Sequence, residues 1–259
     1  MILIETNFII IDGTQIAYTV CGSGDPIILI HGAGRNKEIW EKFGWVEALK
    51  EYFTVIAIDI RGYGESDKSY SPDFYHIDKI LNDITSIIKA NGFNEFYYFG
   101  HSYGATIGLQ AIAKGLPIKK AVLASAAFGD QFFKVTVPIW IDEYTKMNDA
   151  KNKNEFHRLN LSNEDIEWMK ENDLEVYLAQ FKSWHTWTGV KMEQVNVPLA
   201  IYTGTNDNKD VLEGIKNNTG EMEHYHIKTM IFTGLNHAEL VEKKDVCLNW
   251  ILEFLDIKS

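Results

Sequence analysis

The stretch Glu95-Phe96-Tyr97-Tyr98-Phe99-Gly100-His101-Ser102-Tyr103-Gly104 decides how this chain is read. Residues 95–99 form a short apolar and aromatic run, the pattern of a buried strand. The run passes straight into Gly-x-Ser-x-Gly, and a helical pattern begins at about Tyr103. A strand that becomes a helix within five residues has a sharp turn at its apex, and Ser102 occupies it. To point a hydroxyl out of so tight a turn, the serine must take a strained backbone conformation. The residues two before and two after it are then crowded, so both must be small. The following helix aims its free N–H groups and its dipole at the serine, where an oxyanion would form.

Working outward, the same strand pattern recurs. Residues 26–30, 52–60, 118–124, 197–202 and 225–232 are short runs that are apolar on both faces, which suits a parallel sheet covered by helices. The first two strands, about 2–10 and 15–21, are joined at Asp12-Gly13, a hairpin signal. Between the runs lie helical patterns. Ile77, Ile80, Leu81, Ile84, Ile87 and Ile88 share one face of a helix that stops at Asn91-Gly92. A last helix is predicted from about His237 to Leu255. The alternation predicts an α/β fold, a mostly parallel central sheet with helices on both faces.

One stretch breaks the alternation. Residues 128–192 hold no buried-strand run, carry a capping box at Ser162-Asn163-Glu164-Asp165, and contain Trp140, Trp168, Trp184 and Trp187. They are expected to fold as a helical lid inserted after the sixth strand, with 1–127 and 193–259 as the core domain; ordinary helical packing is the alternative. Trp140, Trp184 and Trp187 are the expected substrate-binding residues, walls of an apolar pocket.

Ser102 needs a base. His237, in Gly234-Leu235-Asn236-His237-Ala238, follows the last strand, at the carboxyl end of the sheet where open α/β sheets place their sites. His224 and His226 lie at the other end of that strand and lack a third ligand, so no metal site is expected. An acid must orient the base. Asp207, in Gly204-Thr205-Asn206-Asp207, is the first choice; Asp130, just past the preceding strand, is its rival. The oxyanion hole requires two N–H donors. Tyr103 supplies one, and the loop His31-Gly32-Ala33-Gly34 supplies the other, from Ala33 or, second, Gly34. His31 is read as a brace for that loop.

Bulk properties narrow the function classes. The chain has 259 residues, 46% of them hydrophobic, enough for one large α/β domain with a sizeable core. With 25 basic and 36 acidic residues the formal charge is −11, so the basic footprint of a nucleic-acid binder is missing and an anionic membrane surface is disfavoured. Two isolated cysteines, Cys21 and Cys247, fit a reducing compartment better than a disulfide scaffold. The segment Met1–Glu5 has no basic start and no cleavage site follows it, and no apolar run approaches the roughly 18 residues of a membrane helix. A cytoplasmic protein with a small-molecule partner, as monomer or homodimer, is expected.

These segments together resemble the α/β-hydrolase superfamily, in its branch of small lid-bearing serine hydrolases, over nearly the whole chain. His31-Gly32 is similar to that family's oxyanion loop. Asp59-Ile60-Arg61-Gly62-Tyr63-Gly64-Glu65-Ser66 is similar to its D-x-R-G-x-G-x-S segment, which is structural there and removes Asp59 as a candidate acid. Gly100–Gly104 matches the nucleophile elbow, Gly204–Asp207 the acid loop and Asn236-His237 the histidine loop. Serine at 102 argues against relatives with an aspartate nucleophile, such as epoxide hydrolases and dehalogenases. The oxyanion loop lacks the H-G-G-P-G of proline iminopeptidases and the H-G-G-G of many lipases.

The resemblance implies hydrolysis of a small apolar ester, carboxylesterase-like, by a Ser102–His237–Asp207 triad that calls for no metal or organic cofactor. Amide, lactone or carbon–carbon hydrolysis, perhydrolysis and acyl transfer run on the same triad. A small-molecule receptor with vestigial turnover is the non-enzymatic alternative.

Overall fold

A computed structural model describes residues 4–257. They divide into two compact units, one made of residues up to Asp67 with Leu81–Phe128 and the segment from Val190 onward, the other of Lys68–Ile80 and Gly129–Gly189.

The first unit is built on an eight-stranded sheet: β1 (Thr6–Ile11), β2 (Thr14–Gly22), β3 (Pro26–Ile30), β4 (Thr54–Ile58), β5 (Phe96–His101), β6 (Ile118–Ala124), β7 (Leu199–Asn206) and β8 (Lys228–Asn236). Their order is β1-β2-β4-β3-β5-β6-β7-β8. The hairpin β1–β2 and the β2–β4 pair are antiparallel, and every pair from β4 to β8 is parallel. β3, β4 and most of β5 and β6 are buried on both faces, which is why their sequences run apolar without alternation. One face carries Ile27, Leu29, Val55, Ala57, Phe99, Val122 and Tyr202, packed with Trp40 and Trp45 and with Leu240, Val241 and Ile251 from the chain's last helices.

Three expectations are corrected. The first strand runs to Ile11, and the part of it expected at residues 2–3 lies outside the described residues. β8 begins at Lys228, not Tyr225, because the helix Thr219–His224 ends there and His226 is left-handed at φ 55°.

The last helix is not continuous: it breaks into Glu239–Glu242 and Lys244–Phe254. In an unbroken helix the Leu240 and Val241 carbonyls would accept from residues 244 and 245. Instead the Tyr202 hydroxyl donates to Leu240 O at 3.0 Å and Trp45 Nε1 donates to Val241 O at 2.7 Å. Two buried side chains take the carbonyls, and the helix stops.

The second unit is helical, with Val137–Lys153, Asn163–Glu171 and Leu174–Trp184 as its main helices, and its larger segment lies between β6 and β7 in the chain. Ser162 Oγ accepts from the Asp165 N–H while the Ser162 N–H donates to Asp165 Oδ2, the expected capping box. Residues 68–80, not separated from the core by the sequence, belong here because Tyr75 packs with Val176 and Ala179 and the Tyr70 hydroxyl donates to Asp173.

Candidate active site

β5 and the helix Tyr103–Ala113 meet at Ser102, whose φ of 54° and ψ of −111° lie outside the ordinary regions for a residue with a Cβ. The flanking glycines are sterically required. A Cβ on Gly100 would overlap the Gly104 carbonyl, and a Cβ on Gly104 would overlap the Ile30 carbonyl. The elbow thereby presses against the end of β3, the strand that leads into the 31–34 loop.

The loops after β5, β7 and β8 converge. The Ser102 hydroxyl lies 2.9 Å from His237 Nε2, and His237 Nδ1 lies 2.7 Å from Asp207 Oδ1. A carboxylate only accepts, so Nδ1 carries the hydrogen and donates it, which leaves the Nε2 lone pair facing the Ser102 O–H. Asp207 also accepts from the Thr203 hydroxyl at 2.6 Å and from the Asn208 N–H at 2.7 Å. Burial opposes ionisation of Asp207, but the hydrogen bonds from His237, Thr203 and Asn208 outweigh it and hold the carboxyl below its usual range.

The 31–34 loop folds as a turn closed by the Arg35 N–H donating to Gly32 O, with Gly34 left-handed at φ 71°, where a type II turn calls for glycine. A Cβ on Gly32 would stand 3.2 Å from the Ser102 Cβ, so the loop lies directly against the serine. Ala33 is exposed on this turn, and Tyr103 opens the helix next to Ser102. His31 is fully buried; its Nε2 accepts from the Ile60 N–H at 3.2 Å and its Nδ1 donates to Gly32 O at 2.8 Å, which ties the loop to the segment after β4.

The remaining candidates have other partners. Asp130 belongs to the second unit, and its carboxylate accepts from the Gly189 N–H at 2.6 Å. Asp59 is bound to Lys37, accepting from both its backbone N–H and its ammonium group. Among the described residues no cluster of three or more His, Cys, Asp or Glu side chains could hold a metal ion, and no helix is long and apolar enough to cross a membrane. Trp140, Trp184 and Trp187 all fall in the second unit, engaged with one another's neighbours. Trp140 meets Phe132 and Phe181, Trp184 meets the same two rings, and Trp187 meets Phe133.

Sequence reasoning overlooked four residues around His237 and Asp207, one of them Asn208, whose Nδ2 lies 3.3 Å from His237 Nδ1. Thr203, four residues before Asp207, and Ser125, directly after β6, are polar residues at the ends of apolar strand runs, and that position is the signal that could have found them. His101, inside the elbow motif, has its Nε2 3.0 Å from the His237 carbonyl oxygen.

Comparison with known proteins agrees with this architecture. The model of the α/β hydrolase fold family matches residues 25–188. The chain belongs to the α/β-hydrolase family. Among curated α/β hydrolases and their relatives, it is 33% identical over 100 residues to epoxide hydrolase 4 of Mus musculus, covering 37% of this chain and 26% of that protein. It is 32% identical over 108 residues to the AB hydrolase superfamily protein YisY of Bacillus subtilis, covering 41% of this chain and 39% of that one. The matched stretches thus span between 26% and 39% of those two relatives. A solved epoxide hydrolase from Vigna radiata superposes with a TM-score of 0.72 at 21% identity, covering 98% of both chains, a likeness of fold.

Proposed function

We propose that this α/β-hydrolase family member is a serine hydrolase that cleaves small apolar esters through an acyl-enzyme. The observation that carries the reading is the continuous path from the Ser102 hydroxyl to His237 Nε2 at 2.9 Å and from Nδ1 to Asp207 at 2.7 Å. In the reaction His237 takes the Ser102 proton as Oγ attacks the ester carbonyl. The oxyanion forms between the N–H groups of Tyr103 and Ala33. His237 then gives the proton to the departing alkoxide, the acyl group stays on Ser102, and a water deprotonated by His237 releases the acid. Asp207, held as a carboxylate, keeps the ring in the required tautomer and stabilises the imidazolium.

The names of the relatives favour a second reading, epoxide hydrolysis. The nucleophile counts against it on chemical grounds. A serine that opens an epoxide forms an ether at Ser102, and an ether has no carbonyl for water to attack, so the enzyme would be stranded after one event. An acyl-serine is an ester and is released by the same machinery that made it.

The deciding experiment measures p-nitrophenyl butyrate and styrene oxide turnover side by side, with fluorophosphonate labelling of the protein and of Ser102→Ala. Ester turnover and labelling that both vanish in Ser102→Ala are expected. Undiminished ester activity in that variant removes Ser102 from the mechanism. Catalytic epoxide opening without ester turnover favours the second reading, and tight ligand binding with no turnover of either favours a receptor.

A further inference from the structure

The end of β6 carries a serine to which the mechanism above gives no task. Ser125 is left-handed at φ 60°, and among the described non-glycine residues with positive φ it alone is buried. That conformation crowds a Cβ against the backbone, and glycine takes it without the crowding. A buried serine there needs a reason, and a strained residue beside a reactive centre invites a functional one.

The backbone fixes this residue tightly. The Ser125 N–H donates to Tyr202 O at 2.8 Å, and the preceding Ala124 carbonyl accepts from the Ser102 N–H at 2.9 Å. Residue 125 is thus clamped between the strand that ends in the nucleophile and the strand that leads to Asp207. From this place its Oγ lies 3.1 Å from His237 Nδ1. Because Nε2 must keep its lone pair for Ser102, Nδ1 carries the hydrogen, and Ser125 Oγ can only accept a share of it. The N–H is then divided between Asp207 Oδ1 at 2.7 Å and Ser125 Oγ at 3.1 Å, while the Asn208 amide nitrogen, itself a donor, stands 3.3 Å from Nδ1 and accepts no share. Asp207 alone gives the Nδ1–H one acceptor; a second acceptor, placed just after a different strand, fixes the plane of the ring at that edge. The hold strengthens when the ring becomes an imidazolium, since a charged donor makes the stronger hydrogen bond.

We infer that Ser125 is a positioning residue, its hydroxyl sharing the His237 Nδ1–H so that the imidazole presents Nε2 to Ser102. This rests on the triad reading above. Ser125→Gly is the informative variant, because the left-handed backbone suits glycine and the fold is kept. Its Tm is expected at or above the parent value, while kcat for p-nitrophenyl butyrate falls about tenfold with KM unchanged. Ser125→Ala is expected to show the same loss of kcat. In both, the His237 Nδ1–H resonance, followed by NMR in histidine-labelled protein, moves and exchanges faster with solvent. Parental kcat in Ser125→Gly with an unmoved resonance overturns the inference and leaves Ser102 chemistry intact. Absence of turnover and labelling in the parent sinks the hydrolase reading instead, and the resonance still decides whether Ser125 holds the ring.

Discussion

His101 Nε2 donates to the backbone carbonyl of His237 at 3.0 Å, joining the residue before Ser102 to His237 itself. Its other ring nitrogen, Nδ1, is buried and meets no partner among the described residues, so the ring is neutral. Burial, with the nearby His237 acting in the same direction, pushes the His101 pKa down to about 3. Between roughly pH 6.5 and 3 the unfolded chain therefore binds a proton that folded His101 refuses, and stability falls as pH falls through that window, on the order of 5 kcal/mol in all. His31 is pushed down by burial as well and adds to the slope. His101→Phe keeps a ring in place and removes one of the two contributions. Urea unfolding at pH 8 and pH 4 is expected to show a smaller difference for the variant than for the parent. The variant is also expected to be less stable at pH 8 by about 1–3 kcal/mol, from the orphaned His237 carbonyl. An unchanged pH difference defeats this account.

Asp207→Asn preserves the shape of the side chain but replaces an acceptor-only group with one that can present an N–H to His237. The imidazole then places its hydrogen on Nε2, the wrong nitrogen, and loses the charge that supports the imidazolium. Ester kcat is expected to fall by about 10³–10⁴-fold with folding intact. Asp130→Asn, which alters only a contact to Gly189, is expected to leave kcat within about twofold, as a surface change away from special features would. Steady-state kinetics on both variants tests the assignment, and the reverse ranking would hand the acid role to Asp130.

Two glycines near the serine should behave differently when replaced. A Cβ at Gly104 would overlap the Ile30 carbonyl and press on the His31 carbonyl, both backbone groups with no room to yield. Gly104→Ala is expected to give insoluble or unfolded protein. At Gly32 the new Cβ would stand 3.1 Å from His101 Nδ1 and 3.2 Å from the Ser102 Cβ. Shifts of a few tenths of an ångström relieve those contacts, so Gly32→Ala should fold. The same shifts move the 31–34 loop, and if Ala33 donates to the oxyanion as proposed, its displacement costs at least about tenfold in kcat. Solubility and melting curves separate the two variants. A folded, fully active Gly104→Ala contradicts the steric argument.

The parts of this structure legible in the sequence are those where one local signal dominates. β3 and β6 were bounded correctly because Pro26–Ile30 and Ile118–Ala124 are apolar on both faces and stop abruptly. The elbow was legible because its steric demand acts within five residues. The break in the last helix was not, since its cause is two side chains, Tyr202 and Trp45, far away in the chain. Membership of Lys68–Ile80 in the helical unit was hidden for the same reason, as it depends on Tyr75 meeting Val176 and Ala179. Ser125 was missed because a serine after a strand is unremarkable until the fold brings the His237 ring beside it.

That helix break carries the last prediction. Tyr202 is fully buried, and its hydroxyl is the donor to the Leu240 carbonyl. Tyr202→Phe removes one oxygen and leaves that carbonyl without its side-chain donor, a loss of about 1–3 kcal/mol. For a chain of this size that corresponds to a Tm lower by about 2–12 °C. The freed carbonyl can recover a bond only by accepting from the Lys244 N–H, which would extend the helix through Lys243. Such a rearrangement would pull on the segment Glu239–Glu242, which begins two residues after His237. Tyr202→Phe is therefore expected to lower ester kcat as well as Tm, although Tyr202 touches neither Ser102 nor His237 through any hydrogen bond described for it. A variant with parental Tm and kcat would show that the Tyr202 hydroxyl does not hold the break.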